Sequence, residues 1–154
     1  MQRISKQTIG RVEPISLPDA GISGLAAKVD TGAYRSAIWA TNIVEHDGTL
    51  SFTLLGESSE LYSGVVMTTQ EYLQVEVENS FGQKEMRYSV FLSVEIAGKK
   101  IRSNFTLANR AAKTYSALIG RKMLKGRFVV DVSLGTPLAD EETQEAIQGD
   151  ESLA

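Results

Sequence analysis

Leu25-Ala26-Ala27-Lys28-Val29-Asp30-Thr31-Gly32-Ala33 is the stretch from which the fold is read. An apolar-leaning run ends in a carboxylate, a small hydroxyl residue and a glycine. A strand that stops at Val29 holds the Asp30 carboxylate at its rigid end. The Thr31 hydroxyl can brace the loop, and Gly32 lets other backbone come close. Asp-Thr-Gly is also an ordinary turn sequence, and average composition puts Asp-Ser/Thr-Gly in roughly one chain in twenty of this length. The tripeptide therefore carries weight only through its place after the apolar run and through a second motif. It occurs once in the chain, so one copy brings half of any two-carboxylate site.

The surrounding pattern is mostly strands. Ile9 to Leu17, interrupted by Pro14, and Ser23 to Val29 form an expected hairpin across Pro18-Asp19-Ala20-Gly21. Ser36 to Val44 and Thr49 to Leu54 follow, the second alternating at period two. Glu57 to Gly64 is polar and reads as a loop. Tyr72 to Glu78 alternates, turns through Asn79-Ser80-Phe81-Gly82, and returns as Met86 to Ile96. Ala97-Gly98-Lys99-Lys100 is a tight turn into Ile101 to Leu107, with Ile101, Ser103, Phe105 and Leu107 on one face. Short turns between six or seven strands predict a closed or sandwiched β domain. One helix is expected in the folded part, near Arg121 to Lys125, with Phe128 to Val132 as the last strand.

The 154 residues suffice for one domain with a real core. A hydrophobic fraction of 42% and a charged fraction of 23% suit a soluble globule. No window approaches a membrane span, and Met1 to Thr8 lacks an apolar signal core, so the expected compartment is cytoplasmic. The absence of cysteine excludes disulfides and thiolate metal sites. The net charge of −3 is unevenly spread. Residues 134–154 hold six of the 19 acids and no Lys or Arg, leaving 13 acids against all 16 basic residues in the remainder. That balance is no nucleic-acid footprint. The expected division is a domain over 1–133 and an acidic, solvated tail over 134–154, within which 139–148 can form a short helix.

The second motif is Ala117-Leu118-Ile119-Gly120-Arg121-Lys122-Met123-Leu124, an apolar strand that ends in glycine and turns directly into a helix. Here the chain resembles the retropepsins, the small dimeric aspartic peptidases of retroviruses, in which such a strand ends in Ile-Ile-Gly-Arg-Asn-Leu-Leu beside the catalytic loop. It is still more similar to a bacterial retropepsin-like family historically called ATP-dependent zinc proteases. Val29 to Ala40, Asn79 to Gly82 and Leu118 to Asp131 carry that resemblance, which covers roughly Gly10 to Val132.

The resemblance implies an all-β, retropepsin-like closed barrel (one acid-protease half) with a short helix near its C-terminal end. It implies an aspartic endopeptidase with Asp30 as the catalytic residue. Thr31, Gly32, Ala33 and Gly120 would support the active loop, and Asn79, Ser80, Phe81 and Gly82 would form a flap over an extended peptide or protein substrate. The site would be completed in a homodimer, with no nucleic-acid or membrane partner. The alternative is a non-catalytic peptide- or protein-binding module on the same fold. Retropepsins have an Asp after Asp-Thr-Gly-Ala that pairs with the Arg of Gly-Arg; here Tyr34 stands there, so Arg121 needs another partner. The family's histidine is Trp39, and Phe81 replaces a small polar residue; Trp39 and Phe105 are expected in the core. Arg35 and Arg121 are candidate contacts for an acidic, glutamate-rich substrate.

Neither zinc nor ATP has a residue basis. His46 is the sole histidine, in a turn-like Glu45-His46-Asp47-Gly48, and there is no His-Glu-x-x-His and no Gly-x-x-x-x-Gly-Lys-Ser/Thr. No metal and no cofactor is expected.

Overall fold

A computed structural model describes residues 5–79 and 81–135. Ser80, the proposed helix over 139–148 and all but the first two residues of the acidic tail lie outside the described residues. Eleven strands and one α-helix follow in chain order: β1 (Gln7–Ile9), β2 (Val12–Leu17), β3 (Ile22–Val29), β4 (Ser36–His46), β5 (Thr49–Leu54), β6 (Val66–Thr69), β7 (Tyr72–Glu78), β8 (Lys84–Ile96), β9 (Lys99–Ala108), β10 (Ala117–Ile119), α1 (Arg121–Leu124) and β11 (Phe128–Val130).

Six strands close on themselves. The order is β10-β3-β2-β8-β9-β4, and β4 pairs back onto β10. This is the retropepsin-like barrel that the two sequence motifs imply. Strand β7 adds to the outer half of β8, while β5 and β6 extend from β4. Outside the ring, β1 and β11 form a parallel pair that brings the two ends of the domain together. No helix among the described residues is long and apolar enough to cross a membrane.

Local chemistry sets the turns. The β8–β9 hairpin closes through Ala97 (φ 50) and Gly98 (φ 77), and the β4–β5 hairpin through Asp47 (φ 48) and Gly48 (φ 76). Two successive positive φ values give the two-residue turn whose twist matches that of paired strands. Pro14 lies inside β2 opposite Ala26 and does not end the strand. Only Ile15 and Ser16 of β2 pair with β8, so a residue without an N–H is tolerated on that open flank.

The core follows the alternation of the strands. Val90, Leu92, Val94 and Ile96 of β8 are buried, and Ile101, Phe105 and Leu107 of β9 face them. Phe52, Phe105, Ile38 and Ile119 are fully enclosed. Trp39 is buried with its indole ring close against Gly56, where any Cβ would collide with the ring. Sequence reading missed β6. It is four residues long, pairs only with β5 and is half exposed, so it lacks the alternating core-facing signal from which longer strands are read. Strand β8 also begins two residues before the sequence expectation, because the hairpin pairs out to Glu78 and Lys84.

The Phe105 ring is enclosed on all sides. Phe105→Ala should lower unfolding free energy by about 3–5 kcal/mol, read as a shifted denaturant midpoint at constant m.

Candidate active site

The loop after β3 is built by the strand beside it. β10 runs parallel to β3, with Ile119 opposite Val29. The pairing continues one step into the loop, where the Asp30 N–H donates to the Ile119 carbonyl at 2.9 Å. The Ala33 N–H closes a turn on the Asp30 carbonyl at 3.2 Å, and the Asp30 Oδ1 accepts from the Gly32 N–H at 3.0 Å. The carboxylate is thus oriented by its own loop, with Oδ2 not engaged by that bond. Asp30 and Ala33 are half-buried, whereas Thr31 and Gly32 are exposed.

The segment after β10 clamps the same loop from behind. The Arg121 N–H donates to the Ala33 carbonyl at 2.8 Å and the Lys122 N–H to the Tyr34 carbonyl at 3.0 Å. The Gly120 N–H reaches the buried Ser36 Oγ at 3.0 Å. Gly120 has an ordinary extended backbone (φ −94, ψ 175), so its glycine identity answers a need for space. A Cβ there would lie 2.6 Å from the carbonyl carbon and oxygen of Arg35.

Arg121 finds its substitute partners at this crossing. Its guanidinium donates to the Thr31 carbonyl at 3.0 Å and lies 5.9 Å from the centre of the Tyr34 ring. Arg35 approaches the same ring to 5.7 Å. A tyrosine between two guanidiniums thus stands where retropepsins place a carboxylate, and cation–π attraction takes over from an ion pair. The two arginines nevertheless face different spaces. Arg35 lines the cleft that holds Asp30. Arg121 lines a second groove with Lys6, Lys122 and Lys125 over an apolar floor of Leu124 and Phe128.

The Asp30 cleft has a volume of ≈ 940 Å³. Asp30, Gly32 and Ala33 form one wall, and Glu76 to Asn79 of the β7–β8 hairpin reach it from the other side. Three cleft cations, Lys28, Arg87 and Arg110, have no counterpart among the residues singled out from the sequence. The Arg110 Nε is fixed by the Tyr115 carbonyl at 2.9 Å. Burial, and then the neighbouring Arg87 guanidinium, pull Arg110 below the ordinary arginine value, while the Asp30 carboxylate draws it back up. The Arg87 Nε is buried without a hydrogen-bond partner, and its outer nitrogen meets Glu85 at 3.4 Å. Buried guanidinium N–H groups without acceptors are costly, which suits a cleft that receives an anion. Strand alternation alone could have marked Arg87, which falls on the face of β8 opposite to Tyr88 and Val90. Arg110 follows β9 in a loop and carries no local signal.

At the hairpin tip, Asn79 Oδ1 accepts from the N–H groups of Phe81 and Gln83, each at 2.9 Å, and Gly82 takes φ 78. Phe81 is 88% exposed. His46 is also exposed, its Nε2 3.2 Å from the Asp47 carboxylate. Among the described residues no cluster of three or more His, Asp or Glu side chains could hold a metal ion.

Comparison with known proteins matches residues 8–137 to the RimB-like family, described as "Retropepsin-like aspartic endopeptidase RimB". Among curated proteins, one from Desulfotalea psychrophila named as a probable alpha-L-glutamate ligase is 29% identical over 143 residues, covering 90% of this chain and 31% of that protein. Another of the same name, from Parasynechococcus marenigrum, is 31% identical over 139 residues, covering 88% of this chain and 30% of its own length. The chain therefore spans under a third of the curated relatives it matches. Among solved structures, a Legionella pneumophila protein of unknown function superposes with a TM-score of 0.65 at 29% identity, over 84% of this chain and 96% of that one.

Gly120→Ala should cost about 2–3 kcal/mol from overpacking against the Arg35 backbone, read by thermal unfolding. Ser36→Ala should cost about 1–3 kcal/mol by leaving the buried Gly120 N–H without an acceptor.

Proposed function

The chain belongs to the RimB-like family of retropepsin-like aspartic endopeptidases, and on that premise we propose that it hydrolyses peptide bonds with two Asp30 carboxylates, one from each of two identical subunits. The observation that carries this reading is the Asp30 loop. The carboxylate is held at a strand end by the Gly32 N–H, in a cleft beneath a hairpin, with Thr31 and Gly32 exposed beside it. A two-fold axis through that exposed face would bring the two loops together.

Two carboxylates about 3 Å apart share one proton, since both cannot readily ionise. The ionised one takes a proton from water as the water oxygen bonds to the peptide carbonyl carbon. The protonated one delivers its proton to the carbonyl oxygen. The tetrahedral intermediate then collapses: one hydroxyl returns its proton to the ionised carboxylate as the C=O bond re-forms, the C–N bond breaks, and the amine leaves with the proton of the other carboxyl. The β7–β8 hairpin, Asn79 to Gly82 at its tip, would close over the substrate and pair with it as an added strand.

The substrate class follows from charge. Lys28, Arg35, Arg87, Arg110 and Lys113 line the cleft against three carboxylates, Asp30, Glu76 and Glu78. Relatives named for glutamate ligation point the same way. We assign acidic, glutamate-rich peptides as substrates, with Arg87 as a side-chain carboxylate contact.

Asp30→Asn keeps the shape of the side chain and an oxygen for the Gly32 N–H. It should abolish turnover by roughly a thousandfold or more with an unchanged melting temperature. Equal turnover by the variant refutes the peptidase reading. Arg87→Gln should raise KM for a glutamate-rich peptide roughly tenfold, the loss of one charge-assisted hydrogen bond. A neutral peptide should show no such change. Light scattering on the active protein should give twice the chain mass; activity in a strict monomer excludes the shared dyad.

A further inference from the structure

We infer that the chain's own acidic segment, residues 136–154, docks in the Asp30 cleft and competes there with substrate. The inference rests on the acidic-substrate reading of the cleft and adds an occupant to it.

Charge complementarity is the first argument. The segment carries Asp140, Glu141, Glu142, Glu145, Asp150 and Glu151 and no Lys or Arg. The cleft offers five cations, and one of them, Arg87, has a buried Nε without an acceptor. A chain of carboxylates is what the cleft is proposed to bind, and this one is covalently attached.

Position is the second. Leu134 and Gly135, the last described residues, are tied to the start of β2. The Arg11 N–H donates to the Leu134 carbonyl at 3.0 Å, and the Arg11 carbonyl accepts from the Val29 N–H at 2.9 Å. Gly135 packs so closely on Arg11 and Val12 that a Cβ would lie 2.8 Å from the Val12 nitrogen. The segment therefore starts two strand spacings, roughly 10 Å, from the residue that precedes Asp30. Nineteen residues extend to about 60 Å, so the acids reach any part of the cleft. Tethering at that distance gives millimolar effective concentration, enough for a weak contact to compete.

The second groove is also cationic, through Lys6, Arg121, Lys122 and Lys125. It borders the exposed Thr31 face, which the proposed dimer covers. The Asp30 cleft is therefore the site assigned.

The test reads binding, so it does not need hydrolysis. Full-length Asp30→Asn protein is compared with the same protein carrying Asp140→Asn, Glu141→Gln, Glu142→Gln, Glu145→Gln, Asp150→Asn and Glu151→Gln. The probe is a fluorescein-labelled oligoglutamate, followed by anisotropy. Neutralising the segment should tighten probe binding roughly tenfold, and a synthetic peptide of residues 136–154 should displace the probe from the neutralised protein. Arg87→Gln in both backgrounds should narrow the gap; Lys122→Gln with Lys125→Gln should leave it.

Equal affinity in the two proteins overturns the docking and leaves the substrate reading standing. A tightening without displacement by the free peptide means repulsion at a distance and also overturns it. So does a gap that closes only with the lysine changes, which would place the segment in the second groove. A probe that binds neither protein removes the docking and the acidic-substrate reading together, while loss of turnover in Asp30→Asn alone still decides the peptidase question.

Discussion

Everything at the candidate site depends on one close crossing of backbones. The segment Ile119–Lys122 passes behind the loop Asp30–Arg35 and exchanges hydrogen bonds with it at Asp30, Ala33 and Tyr34, while Gly120 meets the Arg35 carbonyl with no room for a side chain. The crossing closes the barrel, because β10 lies between β3 and β4 and pairs with both. It also fixes the direction in which Asp30 points. Barrel closure and carboxylate placement are thus the same physical event. A defect at Gly120 or Ser36 would be felt in the loop before the outer strands.

Around that crossing the charge has been rearranged without changing the frame. A retropepsin holds its loop with an ion pair; here Tyr34 sits between Arg35 and Arg121, and the Thr31 carbonyl accepts the guanidinium. An aromatic ring leaves the arginines with their full positive charge, whereas a carboxylate would neutralise one. Arg35, with Arg87, Arg110 and the two lysines, makes the cleft basic within a chain whose net charge is −3. The chain is therefore divided into a cationic cavity and an acidic segment, the arrangement from which the self-docking inference is drawn. A half-buried Arg110 held by the Tyr115 carbonyl adds rigidity, since its guanidinium is already oriented before any anion arrives.

The hairpin over the cleft shows a different balance. Its tip is internally braced by Asn79, so the turn needs no support from the barrel. Phe81 is left almost fully exposed at that tip. On the proposed peptidase reading, that ring would meet substrate or the second subunit.

By itself the sequence determined the strand inventory of the barrel, the carboxylate at the end of β3 and the glycine at the end of β10. These signals are local: period-two alternation in β5, β7 and β9, turn chemistry at Asp47-Gly48 and Ala97-Gly98, and a strand that stops in Asp-Thr-Gly. Strand β6 was not legible, because backbone pairing to β5 holds it more than any buried face of its own. Only the tertiary structure decided which cations share the Asp30 cleft. Lys28 precedes the loop, Arg87 lies in β8 and Arg110 follows β9, and nothing in their spacing says that closing the ring places all three in the lining of one cleft. It also separated Arg35 from Arg121, since residues adjacent to one tyrosine ring can still line different cavities. Long-range pairing sets those directions, and long-range pairing is a property of the closed barrel rather than of any segment of the chain.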